Sequence, residues 1–199
     1  MKILAFSDVH DNPLMLKHIA EAAKKEKPDL LVCAGDLSVF EHYLEYTMKK
    51  LDSIGIDTLV IHGNHEEEDV VELLCKRSKH LKFLHKRLFK KDGVIFLGFG
   101  GGGFSKREPE LEDFIKKCKG LIKDDDKIVF VTHAPPYKTK LDFVQGFGHV
   151  GCKSTADYAK RNLFDFILSG HIHECAGRID MMGKAKAYNL SLHIRMIKV

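Results

Sequence analysis

Five short segments of the sequence end in side chains that commonly bind metal ions, and each follows an apolar run typical of a β-strand. They are Ser7-Asp8-Val9-His10, Gly35-Asp36, Gly63-Asn64-His65-Glu66, Thr132-His133-Ala134 and Gly170-His171-Ile172-His173. Carboxylate oxygens suit hard divalent cations, and imidazole suits zinc, iron, manganese and nickel. Together these side chains suffice for a site that holds two metal ions.

The first three segments recur at a constant interval. Asp8 and Asp36 are 28 residues apart, and so are Asp36 and Asn64. A βαβ unit takes roughly 30 residues, so a regular repeat of strand and helix would place similar side chains at successive strand ends. Folds of the α/β class bind ligands at the carboxyl ends of strands. The spacing therefore favours a shared site.

Such a donor set has a definite chemistry. It can hold two cations about 3.5–4 Å apart, bridged by a carboxylate and a hydroxide. The cations make that hydroxide a nucleophile at neutral pH and neutralise charge on a phosphoryl oxygen during in-line attack. A protein nucleophile is then unnecessary, and none is evident in the sequence. The segments therefore predict metal-dependent hydrolysis of phosphoester bonds.

Each segment alone also has an ordinary structural explanation. Asp36 could cap a helix, and Asn64 could be a turn residue. His171 and His173 would point to opposite faces of a strand, so both could bind a metal only from a loop. Cys33, in the strand before Asp36, is interpreted as a core residue. The metal site is favoured because five segments with complementary ligands occur together, all at strand ends.

The ordered set of motifs resembles the calcineurin-like metallophosphoesterase superfamily, from Asp8 to His173. The resemblance implies a four-layer α/β/β/α sandwich in which two mixed β-sheets are flanked by helices. It implies that one metal is held by Asp8, His10, Asp36 and His173, and the other by Asp36, Asn64, His133 and His171. Asp36 would bridge the two ions and so take part in catalysis.

The resemblance also gives His65 a role that is not metal binding. His65 would stabilise the developing charge and protonate the leaving oxygen, because departure of an alkoxide gains from a positioned acid. Asn64 is a candidate for substrate contact as well as for metal binding. The chain departs from the Gly-Asp-x-x-Asp-Arg motif of phosphoprotein phosphatases, since Val39 and Phe40 stand where that motif has its second Asp and its Arg. A protein phosphatase is therefore disfavoured, and the small prokaryotic phosphoesterases and cyclic-nucleotide phosphodiesterases are more similar.

Four further features have open interpretations. His149, among glycines in a loop, is a candidate for substrate binding or an ordinary loop residue. Asn12 is better explained as a helix cap before Pro13 than as a phosphate contact. The Gly100–Gly103 run, without Walker-type residues, is interpreted as a tight loop near the active site. Lys76–Lys91 carries eight Lys or Arg and no acids; nucleic-acid contact is one interpretation, but a solvated helix end and an amphipathic strand are favoured.

The apolar periodicity predicts an alternation of strands and helices. Strands are expected at 2–6, 29–34, 58–62, 94–97, 128–131 and 164–168, with one or two short strands in 81–88. Helices are expected at 13–25, 40–51, 66–77 and 110–121, with another near Thr155. Beyond Gly177 the pattern predicts a meander of strands at 178–181, 185–190 and 193–199.

Length and composition set the broad class. The chain has 199 residues, 44% hydrophobic and 30% charged, which predicts one globular domain over residues 1–199. Its net charge of +4 permits an anionic substrate without requiring nucleic acid. No apolar run approaches the length of a membrane helix, so no membrane partner is expected. Five scattered cysteines without a CxxC pair indicate a reducing cytoplasm, and abundant lysine and glutamate favour a thermophilic source.

The favoured function is hydrolysis of a small phosphomonoester or phosphodiester, with two ions of manganese, iron, zinc or nickel as cofactors. One alternative is a nuclease, which would need an extended basic cleft. Another is a non-catalytic interaction module that keeps the fold, but such a module should have lost ligands, and here all seven ligand positions and His65 are filled. The sequence leaves the ester type, the metal and the oligomeric state open.

Overall fold

The computed structural model describes residues 1–102, 106–123 and 125–199. In chain order the strands are β1 (Lys2–Phe6), β2 (Leu30–Cys33), β3 (Thr58–Val60), β4 (Leu81–Phe83), β5 (Arg87–Lys91), β6 (Val94–Phe99), β7 (Lys127–Thr132), β8 (Phe143–Val144), β9 (Gly148–His149), β10 (Phe166–Ser169), β11 (Ile179–Met182), β12 (Ala185–Asn189) and β13 (Ile194–Lys198). The α-helices are α1 (Pro13–Glu26), α2 (Leu44–Asp52), α3 (Glu68–Arg77), α4 (Pro109–Cys118) and α5 (Lys153–Lys160), and two 3₁₀ turns cover Lys119–Leu121 and His173–Cys175.

Most strands belong to two mixed sheets. The first has the order β13-β1-β2-β3-β4, and the second has the order β11-β12-β10-β7-β6-β5. Within the first sheet β1 to β4 are parallel and β13 is antiparallel to β1. Within the second, β12, β10, β7 and β6 are parallel, and the two edge strands are antiparallel. The parallel strands bring their carboxyl ends to one edge of each sheet.

The alternation of buried side chains shows the order of the layers. Ile3 and Ala5 of β1 belong to the apolar cluster between the two sheets, whereas Leu4 and Phe6 belong to the cluster beneath α1, α2 and α3. The strand β7 alternates in the same way, between the inter-sheet cluster and the cluster beneath α4 and α5. Both faces of each sheet are therefore buried, and the expected four-layer α/β/β/α sandwich is confirmed.

Two predicted helices differ at their ends. The second begins at Leu44 rather than Phe40, because Phe40 and Glu41 have φ of 48° and 63°, in the left-handed region that an α-helix cannot include. The helix predicted at 110–121 ends at Cys118 and continues as a single 3₁₀ turn. At α1 the prediction is confirmed, since the Asn12 side chain accepts hydrogen bonds from the backbone of the first helical turn.

The predicted carboxyl-terminal meander is wrong. β11 and β12 form an antiparallel hairpin, but β13 leaves that sheet and pairs with β1 in the other. The crossing is made by Leu190–His193, where the Leu190 amide donates to the Ser169 carbonyl and the Leu192 amide donates to the Ser7 carbonyl. The alternating pattern located the strands but carries no information about their partners. Within the described ranges, no helix has the length and apolar character needed to cross a membrane.

Candidate metal centre

The predicted ligands meet where the carboxyl ends of the two sheets come together. Asp8, Asp36 and Asn64 follow β1, β2 and β3, His133 follows β7, and His171 and His173 follow β10. Several hydrogen bonds join the sheets at this place. His133 Nδ1 donates to the Ala34 carbonyl at 2.9 Å, and the His171 amide donates to the Asp8 carboxylate at 3.2 Å. The fold itself therefore brings the distant segments into one site.

The 28-residue interval reappears as hydrogen bonds between neighbouring loops. His10 Nδ1 donates to the Ser38 carbonyl at 3.3 Å, and the Val39 amide donates to Asp11 Oδ2 at 2.9 Å, each across 28 residues. These loops leave adjacent parallel strands, so equal loop lengths place equivalent residues side by side. The repeat in the sequence thus corresponds to a physical alignment of strand ends.

A first group of donor atoms comprises Asp8, His10 and His173. His173 Nε2 lies 3.1 Å from Asp8 Oδ1 and 3.4 Å from His10 Nε2. His10 Nε2 lies 3.7 Å from Asp8 Oδ1 and 3.9 Å from Asp36 Oδ2. The first group therefore adjoins Asp36, which is the residue expected to bridge two ions.

A second group lies on the other side of Asp36. His133 Nε2 is 3.2 Å from Asp36 Oδ2 and 2.9 Å from Asn64 Oδ1. The rings of His133 and His171 lie 5.0 Å apart between centroids in an edge-to-face arrangement. The structure therefore brings all seven predicted ligands to one place around Asp36, where His171 is located by its ring contact with His133 and by its amide bond to Asp8.

The protonation of His133 indicates that a cation fits between these atoms. Because Nδ1 donates to a carbonyl, Nε2 of the neutral ring carries a lone pair, and that lone pair faces the oxygens of Asp36 and Asn64. Three facing acceptors repel one another unless a proton or a metal ion lies among them. Burial lowers the pKa of His133, but the hydrogen bond and charge of Asp36 raise it to about 9. The site thus favours a positive charge at this point.

The two carboxylates are held in their ionised form. Burial alone would raise the pKa of Asp8, but hydrogen bonds from His10 and His173 bring it well below its usual range. Burial likewise raises the pKa of Asp36, and His133 reverses the shift, so the net direction is downward. Metal ligands must be deprotonated, so both carboxylates are ready to bind a cation.

Strained backbone shapes the centre. Asp8, His10, Asp36 and His171 all have positive φ, between 47° and 70°, which is uncommon for residues other than glycine. Such strain concentrates at functional sites, where the surrounding structure maintains it. At His171 it turns the chain out of the strand, and His173 then opens a 3₁₀ turn. Both imidazoles consequently reach the centre from a loop, as metal binding by both requires.

Burial is uneven across the centre. Asp8 and His133 are fully buried, whereas the His173 side chain is 43% exposed. The side chains of His10 and His65 are 18% and 23% exposed. A substrate therefore has access from the side on which these three histidines lie.

His65 lies on this accessible side. Its Nε2 is 3.9 Å from Asp36 Oδ2, and its amide donates to Asp36 Oδ1 at 3.1 Å. Its Nδ1 is buried without a hydrogen-bond partner in the part of the chain that the structure describes. A proton on Nδ1 would lack an acceptor there, so Nε2 is the nitrogen that can carry a transferable proton. His65 also lies within metal-binding distance of His10 and Asp36, so its role as a proton donor rather than a metal ligand stays a prediction.

Comparison with known proteins assigns the family. A model of the family described as calcineurin-like phosphoesterase matches residues 1–175. The chain belongs to this family. It is 28% identical over 202 residues to the protein MJ1162 of Methanocaldococcus jannaschii, covering 96% of this chain and 88% of that protein.

Solved structures share the fold at low sequence identity. The protein TT1561 of Thermus thermophilus superposes with a TM-score of 0.73 at 17% identity, covering 96% of this chain and 88% of that one. A dimetal phosphatase from Danio rerio superposes with a TM-score of 0.70 at 11% identity, covering 96% and 87%. Membership of the family indicates a phosphoesterase hydrolase, and the superpositions show that these solved structures share the sandwich fold.

Glu66 ends the third motif of this family member, and sequence reasoning gave it no role. It is buried, and its Oε1 accepts from the Ser38 amide at 2.8 Å and from the Ser38 hydroxyl at 3.2 Å. Its Oε2 accepts from the Gly63 amide at 2.9 Å. Glu66 thereby joins the loop that carries Asp36 to the loop that carries Asn64. The 28-residue spacing could have indicated this contact, because Ser38 and Glu66 are also 28 residues apart.

His149 is paired with Asp142 rather than with the metal-ligand candidates. Its Nδ1 lies 2.7 Å from Asp142 Oδ1, and its ring contacts the rings of Tyr137 and Phe143. The Phe143 carbonyl accepts a hydrogen bond from Cys175 Sγ, two residues beyond His173. The hairpin of β8 and β9 thus borders the metal centre, and the role of His149 in substrate binding stays a prediction.

The remaining motifs are structural. Gly100 and Gly101 pack closely against His62, and Gly103 lies outside the described residues. Cys33 is buried in the core beneath α1. Lys76–Lys91 covers the end of α3, β4 and β5, which agrees with the favoured interpretation as a helix end followed by strands. Its positive charges are largely paired, for example Lys86 with Glu110 at 2.6 Å.

Proposed function

We propose that the chain is a two-metal hydrolase of small phosphomonoesters or phosphodiesters. The carrying observation is that the Asp36 carboxylate belongs to two sets of atoms close enough to hold a metal ion, one with Asp8 and His133 and one with His10 and His65, while Asp8, His10 and His173 form a further set. The first ion would be held by Asp8, His10, Asp36 and His173, and the second by Asp36, Asn64, His133 and His171. Manganese, iron, zinc and nickel all suit this donor set.

The chain's own residues then have distinct tasks. Bound cations would supply an activated water and neutralise charge on the phosphoryl group. Asp36 would contribute its carboxylate to both ions, and Glu66 joins the Asp36 loop to the Asn64 loop. Asn64 can contact the substrate as well as the second ion. His65 transfers the proton at Nε2 to the leaving oxygen.

The charge distribution supports a small substrate over nucleic acid. The basic stretch Lys76–Lys91 would be the natural backbone-binding surface of a nuclease, but acids neutralise much of it. Lys76 and Arg87 pair with Glu72, Lys82 pairs with Asp57, Lys86 pairs with Glu68 and Glu110, and Lys90 pairs with Asp126. A nuclease would show oligonucleotide affinity that falls steeply with salt, and we expect no such behaviour.

Two further points bear on the alternatives. An interaction module that had lost catalysis would not need to keep every ligand and His65, and here all are present and converge. The five cysteine thiols are buried and unpaired among the described residues, which supports the prediction of a reducing cytoplasm.

The test is hydrolysis of p-nitrophenyl phosphate and bis-p-nitrophenyl phosphate by metal-free protein reloaded with Mn²⁺, Ni²⁺, Zn²⁺ or Mg²⁺. Asp36→Asn should lower kcat/KM at least about a hundredfold and reduce the metal content. His65→Ala should lower kcat by about 10²–10⁴-fold and leave the metal content unchanged. The compound that is preferred would distinguish monoesterase from diesterase activity.

Matched controls separate these effects from loss of charge or of imidazole in general. Asp92 lies in an exposed hairpin turn, and His18 lies on the exposed face of α1. The variants Asp92→Asn and His18→Ala should therefore retain full activity. Failure to bind any metal would overturn the proposal. Full turnover by the Asp36→Asn variant would overturn the proposal that Asp36 bridges the two ions.

A further inference from the structure

Three lysine ammonium groups converge on the ring of one tyrosine. The Nζ atoms of Lys106, Lys138 and Lys153 lie 5.8, 5.9 and 5.1 Å from the centroid of the Tyr137 ring. Attraction between a cation and an aromatic ring is weak at exposed sites, and one ring cannot neutralise three positive charges. These four residues are called the lysine cluster below.

The buried Asp142 carboxylate adjoins the cluster and accepts a hydrogen bond from the Lys138 amide. Among the residues that the structure describes, none of its three ammonium groups forms an ion pair. Its neighbour Arg107 is different, since it pairs with Glu112 at 3.3 Å and with Asp157 at 3.1 Å. Three positive charges around one ring, without an ion-pair partner in the described residues, attract an anionic group. The lysine cluster therefore offers a binding site for an anionic group.

The backbone builds this arrangement. The Lys153 amide donates to the Lys106 carbonyl at 2.7 Å, which fixes the two lysines side by side. The Lys138 amide donates to Asp142 Oδ2 at 3.0 Å. The Asp142 carboxylate is fully buried and also bonds His149 at 2.7 Å. The lysines are thus brought together by main-chain hydrogen bonds and a buried carboxylate.

The cluster lies close to the metal centre. Tyr137 is four residues beyond His133, and a fully extended chain of that length spans at most about 14 Å. Lys106 and Lys138 lie in the loops that follow β6 and β7, neighbouring parallel strands whose carboxyl ends point toward the centre. His149 touches the Tyr137 ring, with 5.9 Å between centroids.

We propose that the lysine cluster is a second anion subsite, which binds a further phosphate group of the substrate while the scissile phosphate lies at the metal centre. This inference rests on the proposed function and narrows its substrate class to small phosphoesters that carry a second phosphate. A nucleic-acid backbone is disfavoured, because acids neutralise much of the basic stretch Lys76–Lys91.

The test uses the manganese-loaded protein, freed of excess metal, and a series of straight-chain alkane diphosphonates with two to six methylene groups. Each is compared with the alkyl monophosphonate of the same chain length. Dissociation constants come from calorimetry, and inhibition constants come from p-nitrophenyl phosphate hydrolysis. At a matching spacer length, the diphosphonate should bind about tenfold more tightly than its monophosphonate, because the second group binds intramolecularly.

Two double variants decide whether the cluster is responsible. Lys138→Gln/Lys153→Gln removes two charges and keeps the aliphatic stems, and it should abolish the advantage of the diphosphonate without changing monophosphonate binding or p-nitrophenyl phosphate turnover. The control Lys24→Gln/Lys25→Gln makes the same change in net charge on exposed positions of α1 and should retain the advantage.

Two results would overturn the subsite. One is equal affinity of diphosphonate and monophosphonate at every spacer length. The other is an advantage that persists in Lys138→Gln/Lys153→Gln. A protein that binds the diphosphonates as expected but hydrolyses neither p-nitrophenyl ester would keep the subsite and overturn the proposed hydrolytic function, so the two failures are distinguishable.

Discussion

The ring of Phe40 packs against the ring of His65, with 4.6 Å between centroids and 48° between planes. Phe40 stands where the phosphoprotein phosphatase motif has arginine. Its left-handed backbone continues through Glu41, whose Oε1 accepts a hydrogen bond from the Glu67 amide at 2.8 Å. The turn is thereby fixed to the segment that follows His65. Among the described residues, the rings of Phe40 and His10 contact this histidine, and its Nδ1 has no carboxylate partner.

Phe40→Ala should lower kcat about tenfold while the metal content stays unchanged, because the imidazole loses the contact that holds its orientation. Phe40→Leu should restore part of the activity by filling the same space. Steady-state kinetics on p-nitrophenyl phosphate and metal analysis of both variants provide the measurement. Tyr43→Ala is the control, since Tyr43 is also an exposed aromatic residue near this turn. Unchanged kcat in Phe40→Ala would show that His65 is positioned without it.

The metal-free protein should lose stability as the pH rises from about 6.5 to about 9. Burial lowers the pKa of His133, but Asp36 raises it to about 9, above the ordinary value of 6.5. A histidine with a raised pKa stabilises the folded state while protonated, fully below pH 6.5, and this contribution disappears through pH 9. We expect Tm to fall on the order of 5 °C over this range.

Thermal unfolding of metal-free and metal-loaded protein would check this dependence. Bound metal replaces the proton on His133, so the loaded protein should lose less Tm across the same interval. The Tm of a metal-free His133→Asn variant should also fall less with pH than that of the unsubstituted metal-free protein. If the Tm of that variant fell as steeply with pH as the Tm of the unsubstituted protein, another group would be responsible for the pH dependence.

The sequence was informative about the metal centre because local features determine it. A ligand at a strand end needs only an apolar run and the right side chain, so Asp8, Asp36 and Asn64 were recognisable from their spacing. The pairing of two sheets came from the family resemblance, since periodicity does not specify strand partners, and for the same reason the crossing of β13 was missed. The lysine cluster was missed because Lys106, Lys138 and Lys153 meet only through tertiary hydrogen bonds.

Glu66→Gln should weaken metal binding about 10–100-fold, the usual range for residues that orient ligands. Burial and the nearby Asp36 charge raise the pKa of Glu66, although the Gly63 and Ser38 amides favour its ionised form. Glutamine keeps one acceptor oxygen but replaces the other with a donor, so one of the two loops loses its partner. Glu67→Gln, exposed and adjacent, is the matched control. Metal titration of both variants is the measurement, and equal affinities would contradict a positioning role for Glu66.

Gly63→Ala should abolish binding of the second ion and lower Tm, while the secondary structure is retained. A Cβ at Gly63 would overlap both the Asp36 carboxylate and the Asp36 backbone nitrogen, so the side chain and its loop would have to shift. The carboxylate would have to move away from His133, which separates the second group. Gly120→Ala, where a Cβ meets open space, controls for the general effect of alanine. Metal content should fall from two ions to one or none in Gly63→Ala, with little change in circular dichroism. Two bound ions with full activity would show that the centre does not depend on close contact between these loops.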